Sequence, residues 1–162
     1  MAIKRSKLQH FMNTTPSETT PTYNLMNLGI TSLSIAKNPT YLEEGYIAND
    51  VGTKELESLA PEFSFEINVD DTDPVSIFLT DLEWKDKTMK DVQTDIVSVQ
   101  LWKTPTGTPA AYPAKKYNVS ISVETIGDEA LKTLKHSVKA GVRGDAVFGT
   151  FAPSTKTFTA TP

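Results

Sequence analysis

Cysteine is absent from the 162 residues. That excludes a disulfide framework, a thiolate metal site and a cysteine nucleophile. It fits a reducing compartment or a particle held together by packing alone. Histidine occurs only at His10 and His136. Neither has a second histidine at ligand spacing, so no metal centre is expected. His136 lies on the apolar side of an alternating segment and reads as a core residue. No apolar run is long enough to span a bilayer or to form a signal peptide, so a soluble chain made in the cytosol, with no membrane partner, is expected. The formal net charge of −4 argues against broad electrostatic grip on nucleic acid. Phosphate-cradling glycine motifs and the GxSxG nucleophile elbow are missing. DDTD at 70–73 lacks the glycine and distal glutamate of a calcium loop. Glu43 and Glu44 are adjacent and cannot flank a scissile bond. Arg143-Gly144-Asp145 spells an adhesion tripeptide, yet glycine and aspartate there are ordinary turn residues. The expectation is a chain that is not an enzyme, with no catalytic residues, cofactor or metal.

What the sequence does have is alternation. Phe63, Phe65, Ile67 and Val69 alternate with Ser64, Glu66, Asn68 and Asp70, which predicts a strand over 62–69 with one wet and one dry face. Similar segments predict strands at 30–36, 95–102, 116–124 and 134–142, with a shorter one at 23–27. Asp73 before Pro74 predicts a helix start, since the carboxylate can accept from the free amides of the first turn and proline suits the first helical position. Val75, Phe78, Leu79 and Leu82 then mark one apolar helical stripe, with Ser76, Thr80, Asp81 and Glu83 opposite. Residues 37–61 hold no sustained period and read as a long loop. They nevertheless carry Tyr41, Leu42, Tyr46, Ile47, Val51, Leu56 and Leu59, too much apolar surface for a solvated linker. That load predicts packing against something, such as another copy of the chain. Residues 1–22 read as a flexible N-terminal arm and 152–162 as a frayed C-terminal tail. The whole chain, 1–162, is expected to form one domain. Its fold class is mainly β: an antiparallel sandwich or barrel with one short flanking α-helix and a long loop.

The succession of segments resembles the major tail protein, or tail tube protein, of long-tailed, non-contractile bacteriophages. The resemblance rests on MAIKRSKLQHFMN, then GITSLSIAKNPTYLEEGYIANDVGTKELESLAP, EFSFEINVDDTDPVSIFLTDL, TDIVSVQLW, KYNVSISVETIGDEALKTL and GVRGDAVFGTF. It covers nearly the whole chain, with no single diagnostic motif. It implies a subunit that self-assembles into rings, typically hexamers, which stack into a hollow tube. The implied partners are other copies of itself, a tape-measure protein, a tail terminator and baseplate or tip proteins. Phage DNA would pass through the lumen during ejection without specific binding. The implied location is the virion tail, with assembly in the host cytoplasm.

On this resemblance the wet strand faces would line the lumen: Ser32, Ser34, Ser64, Glu66, Asn68, Asn118, Ser120, Ser122, Glu124, Lys135 and Lys139. Short hydroxyl and amide groups suit a conduit, because tight cationic contacts would retard DNA. Lys135 and Lys139 fit such a wall if they pair with Glu66 or Glu124 across the sheet; otherwise their strand faces the other way. The loop residues from Tyr41 to Leu59 named above would contact the next subunit or ring. Two other readings remain open. One is the inner tube of a contractile tail or secretion-type particle. The other is a carbohydrate-binding β-sandwich using Tyr41, Tyr46 and Tyr112.

Overall fold

The alternating segment at 62–69 does form a strand, and so do the others. The computed structural model describes residues 1–162. Its elements are β1 (Leu8–Asn13), β2 (Tyr23–Leu25), β3 (Ile30–Ala36), β4 (Pro39–Glu44), β5 (Thr53–Leu59), β6 (Glu62–Asn68), α1 (Pro74–Trp84), β7 (Gln93–Gln100), β8 (Tyr112–Gly127), β9 (Lys135–Val142), β10 (Val147–Ala152) and β11 (Thr157–Ala160). A nine-stranded sheet runs β2-β1-β7-β8-β9-β6-β3, with β10 and β11 branching from β8. All its pairings are antiparallel. Strands β4 and β5 form a separate two-stranded ribbon.

The large sheet curls. Strands β1 and β6 stand four places apart in its order, which in a flat sheet is about 19 Å. Yet the ring of His10 on β1 lies 5.9 Å from that of Phe63 on β6. Phe63 also meets Tyr117 of β8 edge-on at 5.2 Å. Strand twist and the bulge between Val123 and Thr125 permit this curvature. The result is a half-barrel whose inner face holds the main core. Phe63, Phe65, Ile67, Ile96, Val119, Ile121 and Val138 line it, and Val75, Leu79 and Leu82 of α1 fill it.

The helix begins where its sequence says it should. Asp73 Oδ2 accepts from the Ser76 amide at 3.2 Å, and Pro74 occupies the first turn. The stripe Val75, Leu79 and Leu82 is buried and Phe78 is half-buried. Two residues expected on the wet helical face point inward instead. Ser76 is fully buried; its hydroxyl donates to the Asn68 carbonyl and accepts from the Asp70 amide. Thr80 Oγ1 lies 3.2 Å from Nε2 of His136, which is buried as its apolar neighbours imply.

Four expectations about connections need correction. Residues 37–61 are not a structureless loop: β4 and β5 pair along them. Residues 1–22 are not one arm, since β1 lies inside the large sheet with Met12 and Asn13 buried. Segment 152–162 contains β11, which pairs with β10 from Gly149 to Ala152. The connection before the strand expected at 116–124 is shorter than that expectation implies, because β8 already starts at Tyr112. In β1 and β7 both faces are covered. Their inner side joins the main core, and their outer side joins a second cluster of Phe11, Tyr23, Val97, Val99, Ala114 and Phe151.

Candidate functional site

Register carries the predicted wet residues onto one face. Ser34 of β3 pairs with Ser64 of β6, Ser64 with Lys139 of β9, and Lys139 with Ser122 of β8. That makes one continuous row across four strands. In parallel rows Asn68 faces Lys135, Ser120 faces Gly141 and Asn118 faces Asp95 of β7. Glu66 stands opposite Ser137. Glu124 sits in the β8 bulge, and Ser32 lines the same shallow hollow as Ser34, Ser64, Glu66 and Glu124. Every residue of the predicted set therefore shares the outer face, opposite the helix.

The two lysines of this face do not stand free. Lys139 Nζ lies 3.7 Å from Glu124 Oε1 and 3.9 Å from Glu62 Oε1. Lys135 Nζ lies 3.5 Å from Asp128. The Glu124 pairing is one of the two expected, and Glu62 takes the place of Glu66. Glu66 itself forms no ion pair and is exposed. Asp95 is engaged as well: it accepts from Asn13 Nδ2 at 3.2 Å and from the Tyr23 hydroxyl. Burial, then the Asp95 bond and charge, push the Tyr23 phenol well above its usual range. The face is thus hydroxyl-rich and locally neutralised around β9, with Glu66 unpaired and Lys116, at the β10 side of the same face, held over the Phe158 ring rather than by a carboxylate. Both ends of the sheet order, β3 and β2, have a free backbone edge. An open edge of this kind templates pairing with another chain unless it is covered.

The ribbon β4–β5 is a second candidate surface. It extends the β3–β6 ladder: Ala36 pairs with Glu62, and beyond the junction Pro39 pairs with Leu59. At the junction Asn38 adopts φ 45°, its side chain donates to the Ala60 carbonyl at 3.1 Å, and the Ala60 amide donates to Lys37 at 3.0 Å. Every residue of both strands is exposed. Tyr41 pairs with Leu56 on one face beside Leu59, while Leu42 faces the other way. Tyr46, Ile47 and Val51 crown the tip, where Ile47 is completely exposed. None of these apolar side chains is buried by the body of its own subunit.

A third feature escaped the sequence. Leu8, Ile35, Trp102, Lys115, Tyr117 and Phe148 line an opening at the end of the half-barrel that receives no helix residue. They come from five separate segments, so no local pattern announces them. Tyr112 lies instead against the second core cluster. It therefore forms no aromatic platform with Tyr41 and Tyr46 on the ribbon.

A curled antiparallel sheet with one inner helix, free edges and a projecting apolar ribbon is a scaffold shaped for association. No family model matches the sequence, and no curated protein matches it. Solved structures do match. The chain is similar to a subunit of the tail of an empty GTA particle with C6 symmetry, at 10% identity and TM-score 0.64, over 91% of this chain and 98% of that one. It is similar to the SPP1 tail tube protein at 13% identity and TM-score 0.61, over 91% and 78% of the two chains. A chain of the six-fold anti-feeding prophage baseplate matches at 12% identity and TM-score 0.53, over 91% and 95%. At these identities the likeness lies in the fold, and that fold is of the tail tube type.

Proposed function

We propose that this chain is a structural subunit of a bacteriophage tail tube. Copies close into rings, hexameric by analogy with the C6 and six-fold relatives, and the rings stack into a conduit for DNA ejection. The observation that carries this reading is the likeness over 91% of the chain to tail assemblies, joined to a hydroxyl-rich outer face without clustered free cations. In this reading the outer face of β3, β6, β9 and β8 lines the lumen. Ring closure covers the free edges of β3 and β2, as a closed head-to-tail assembly must. The ribbon contacts the adjoining subunit or ring and buries its apolar side chains there. A tape-measure protein occupies the lumen during assembly, and terminator and baseplate or tip proteins bound the tube. The role is architectural rather than enzymatic and requires no cofactor. Its place is the virion tail, after assembly in the host cytoplasm.

Negative-stain electron microscopy of the concentrated protein tests the proposal: rings or hollow tubes are expected. A stable monomer at every concentration, with no such protein in tail tubes, would overturn it. The baseplate relative favours a second reading, an inner tube of a contractile or secretion-type particle. A sheath gene beside this one supports that reading, whereas a tape-measure gene without a sheath gene supports the first.

A further inference from the structure

Charge is distributed unevenly over this subunit. Of 16 basic and 20 acidic residues, the ribbon from Pro39 to Leu59 holds one lysine and five carboxylates. The rest of the chain keeps fifteen of each sign, so the ribbon carries the entire net charge. Only Glu43 is ion-paired within it, to Lys54. Glu44, Asp50, Glu55 and Glu57 have no cation.

The opening of the half-barrel is the reverse. Lys115 Nζ lies 5.0 Å from the centre of the Tyr117 ring and 5.1 Å from that of Phe148. Lys37 Nζ lies 5.6 Å from the same Tyr117 ring. Two ammonium groups thus share one aromatic ring, and neither has a carboxylate partner. Cation–π attraction holds each in place but leaves their mutual repulsion uncancelled. Around them Phe148 is 65% exposed, with Trp102 and Ile35 half-buried beside it. The opening is aromatic and cationic; the ribbon is apolar and anionic.

We infer that the ribbon of one copy seats in the half-barrel opening of a second copy, its carboxylates against Lys37 and Lys115 and its apolar side chains against Tyr117, Phe148 and Trp102. The inference rests on the tube reading and names the receiving surface for the ribbon. The occupant has to be another copy. The six residues of β4 rise about 20 Å, and the ribbon leaves the body immediately after Lys37. Folding back would break the Asn38–Ala60 and Lys37–Ala60 hydrogen bonds that clamp its base. The surface around the helix is the wrong sign for this occupant. Trp84 and Ile77 are exposed there, but residues 70–91 carry seven carboxylates against three lysines, two of them already paired to Asp81, so the net charge of that segment opposes an anionic ribbon.

The absence of cysteine makes a direct test possible. One chain carries Val51→Cys and another carries Phe148→Cys, with Trp102→Cys as a second receiver should the first fold poorly. The two are mixed, assembled and mildly oxidised. The expected product is a disulfide-linked pair joining Val51→Cys to either receiver and absent with Trp84→Cys. Tubes that form but link only to Trp84→Cys, or to none of these sites, overturn the docking and leave the tube reading intact. Failure of the unsubstituted protein to assemble removes both. Independently, Lys37→Glu with Lys115→Glu should raise the protein concentration needed for assembly by roughly tenfold or more while the subunit stays folded, its melting temperature lowered by only a few degrees for the lost cation–π contacts. Adding Glu55→Lys and Glu57→Lys should recover assembly. An unchanged assembly concentration in the Lys37→Glu, Lys115→Glu protein counts against the docking.

Discussion

At the scale of single residues, the half-barrel buries two histidines among its apolar side chains. His10 is buried among apolar groups, with Nδ1 2.8 Å from Ser98 Oγ and Nε2 without a partner. Burial first, and the Arg5 charge second, lower its pKa from 6.5 to about 4. Burial lowers that of His136 too, although Glu83 works the other way. The sign follows from proton counts. Between pH 6.5 and about 4 the unfolded chain holds a proton on residue 10 that the folded chain refuses. Stability from neutral His10 is therefore full above pH 6.5 and falls as pH drops toward 4. A separation of that size corresponds to roughly 3 kcal/mol. Urea unfolding at pH 7 and pH 4.5 should show a steep loss in the native protein and a smaller one in His10→Leu, even though His10→Leu is the less stable at pH 7. Equal losses in both proteins would assign the acid sensitivity to other groups.

At the scale of elements, β11 is held by a close approach that tolerates no side chain. A Cβ at Gly149 would stand 2.1 Å from the Thr159 carbonyl oxygen and 2.9 Å from Phe158 Cζ. Gly149→Ala should therefore release Thr157–Ala160 from β10 while the main core stays intact. Hydrogen exchange should show lost protection in β11 only; retained protection there would mean that the strands can shift apart cheaply. The ribbon is the opposite case, an element the body does not need. Replacing residues 40–58 by a short turn should leave the melting temperature of the body within a few degrees and abolish tube formation, read by calorimetry and microscopy. Normal long tubes from that variant would remove the ribbon from assembly. These two elements also explain what the sequence hides. Alternation is legible where a strand has one wet and one dry face, as in β6 and β9, and the Asp73–Pro74 cap is legible because its chemistry is local. In β1 both faces are covered, so Leu8–Asn13 shows no period; β7 is covered on both faces too but stays legible because Ser98 and Gln100 alternate with Val97, Val99 and Leu101. In the ribbon neither face is buried, so no period appears either. β11 is exposed except for Phe158, which is half-buried. The half-barrel opening is illegible for another reason: Leu8, Ile35, Trp102, Lys115 and Phe148 meet only after the sheet has curled.

At the scale of the whole molecule, the proposed tube would give the outer face its meaning through repetition. One lysine at about 4 Å from a phosphate is worth about 1 kcal/mol in water, which a single subunit could ignore. A tube repeats every side chain around each ring and along every ring, so a small attraction becomes a lattice of holding points for sliding DNA. Were this face the lumen wall as proposed, the pairing of Lys139 with Glu124 and Glu62, and of Lys135 with Asp128, would remove such points and leave Lys116, over the Phe158 ring, as the one without a carboxylate. Glu66 adds a free negative charge in the middle of the same face. Glu66→Lys reverses that balance on an exposed side chain without touching the core. Tubes of the variant should assemble as well as the native ones. DNA release from particles that carry it should be slower at low salt and recover as salt screens the new charges. Release that is unchanged at every salt concentration, from particles with normal tubes, would place Glu66 away from the lumen and turn the outer face of β6 toward some other neighbour.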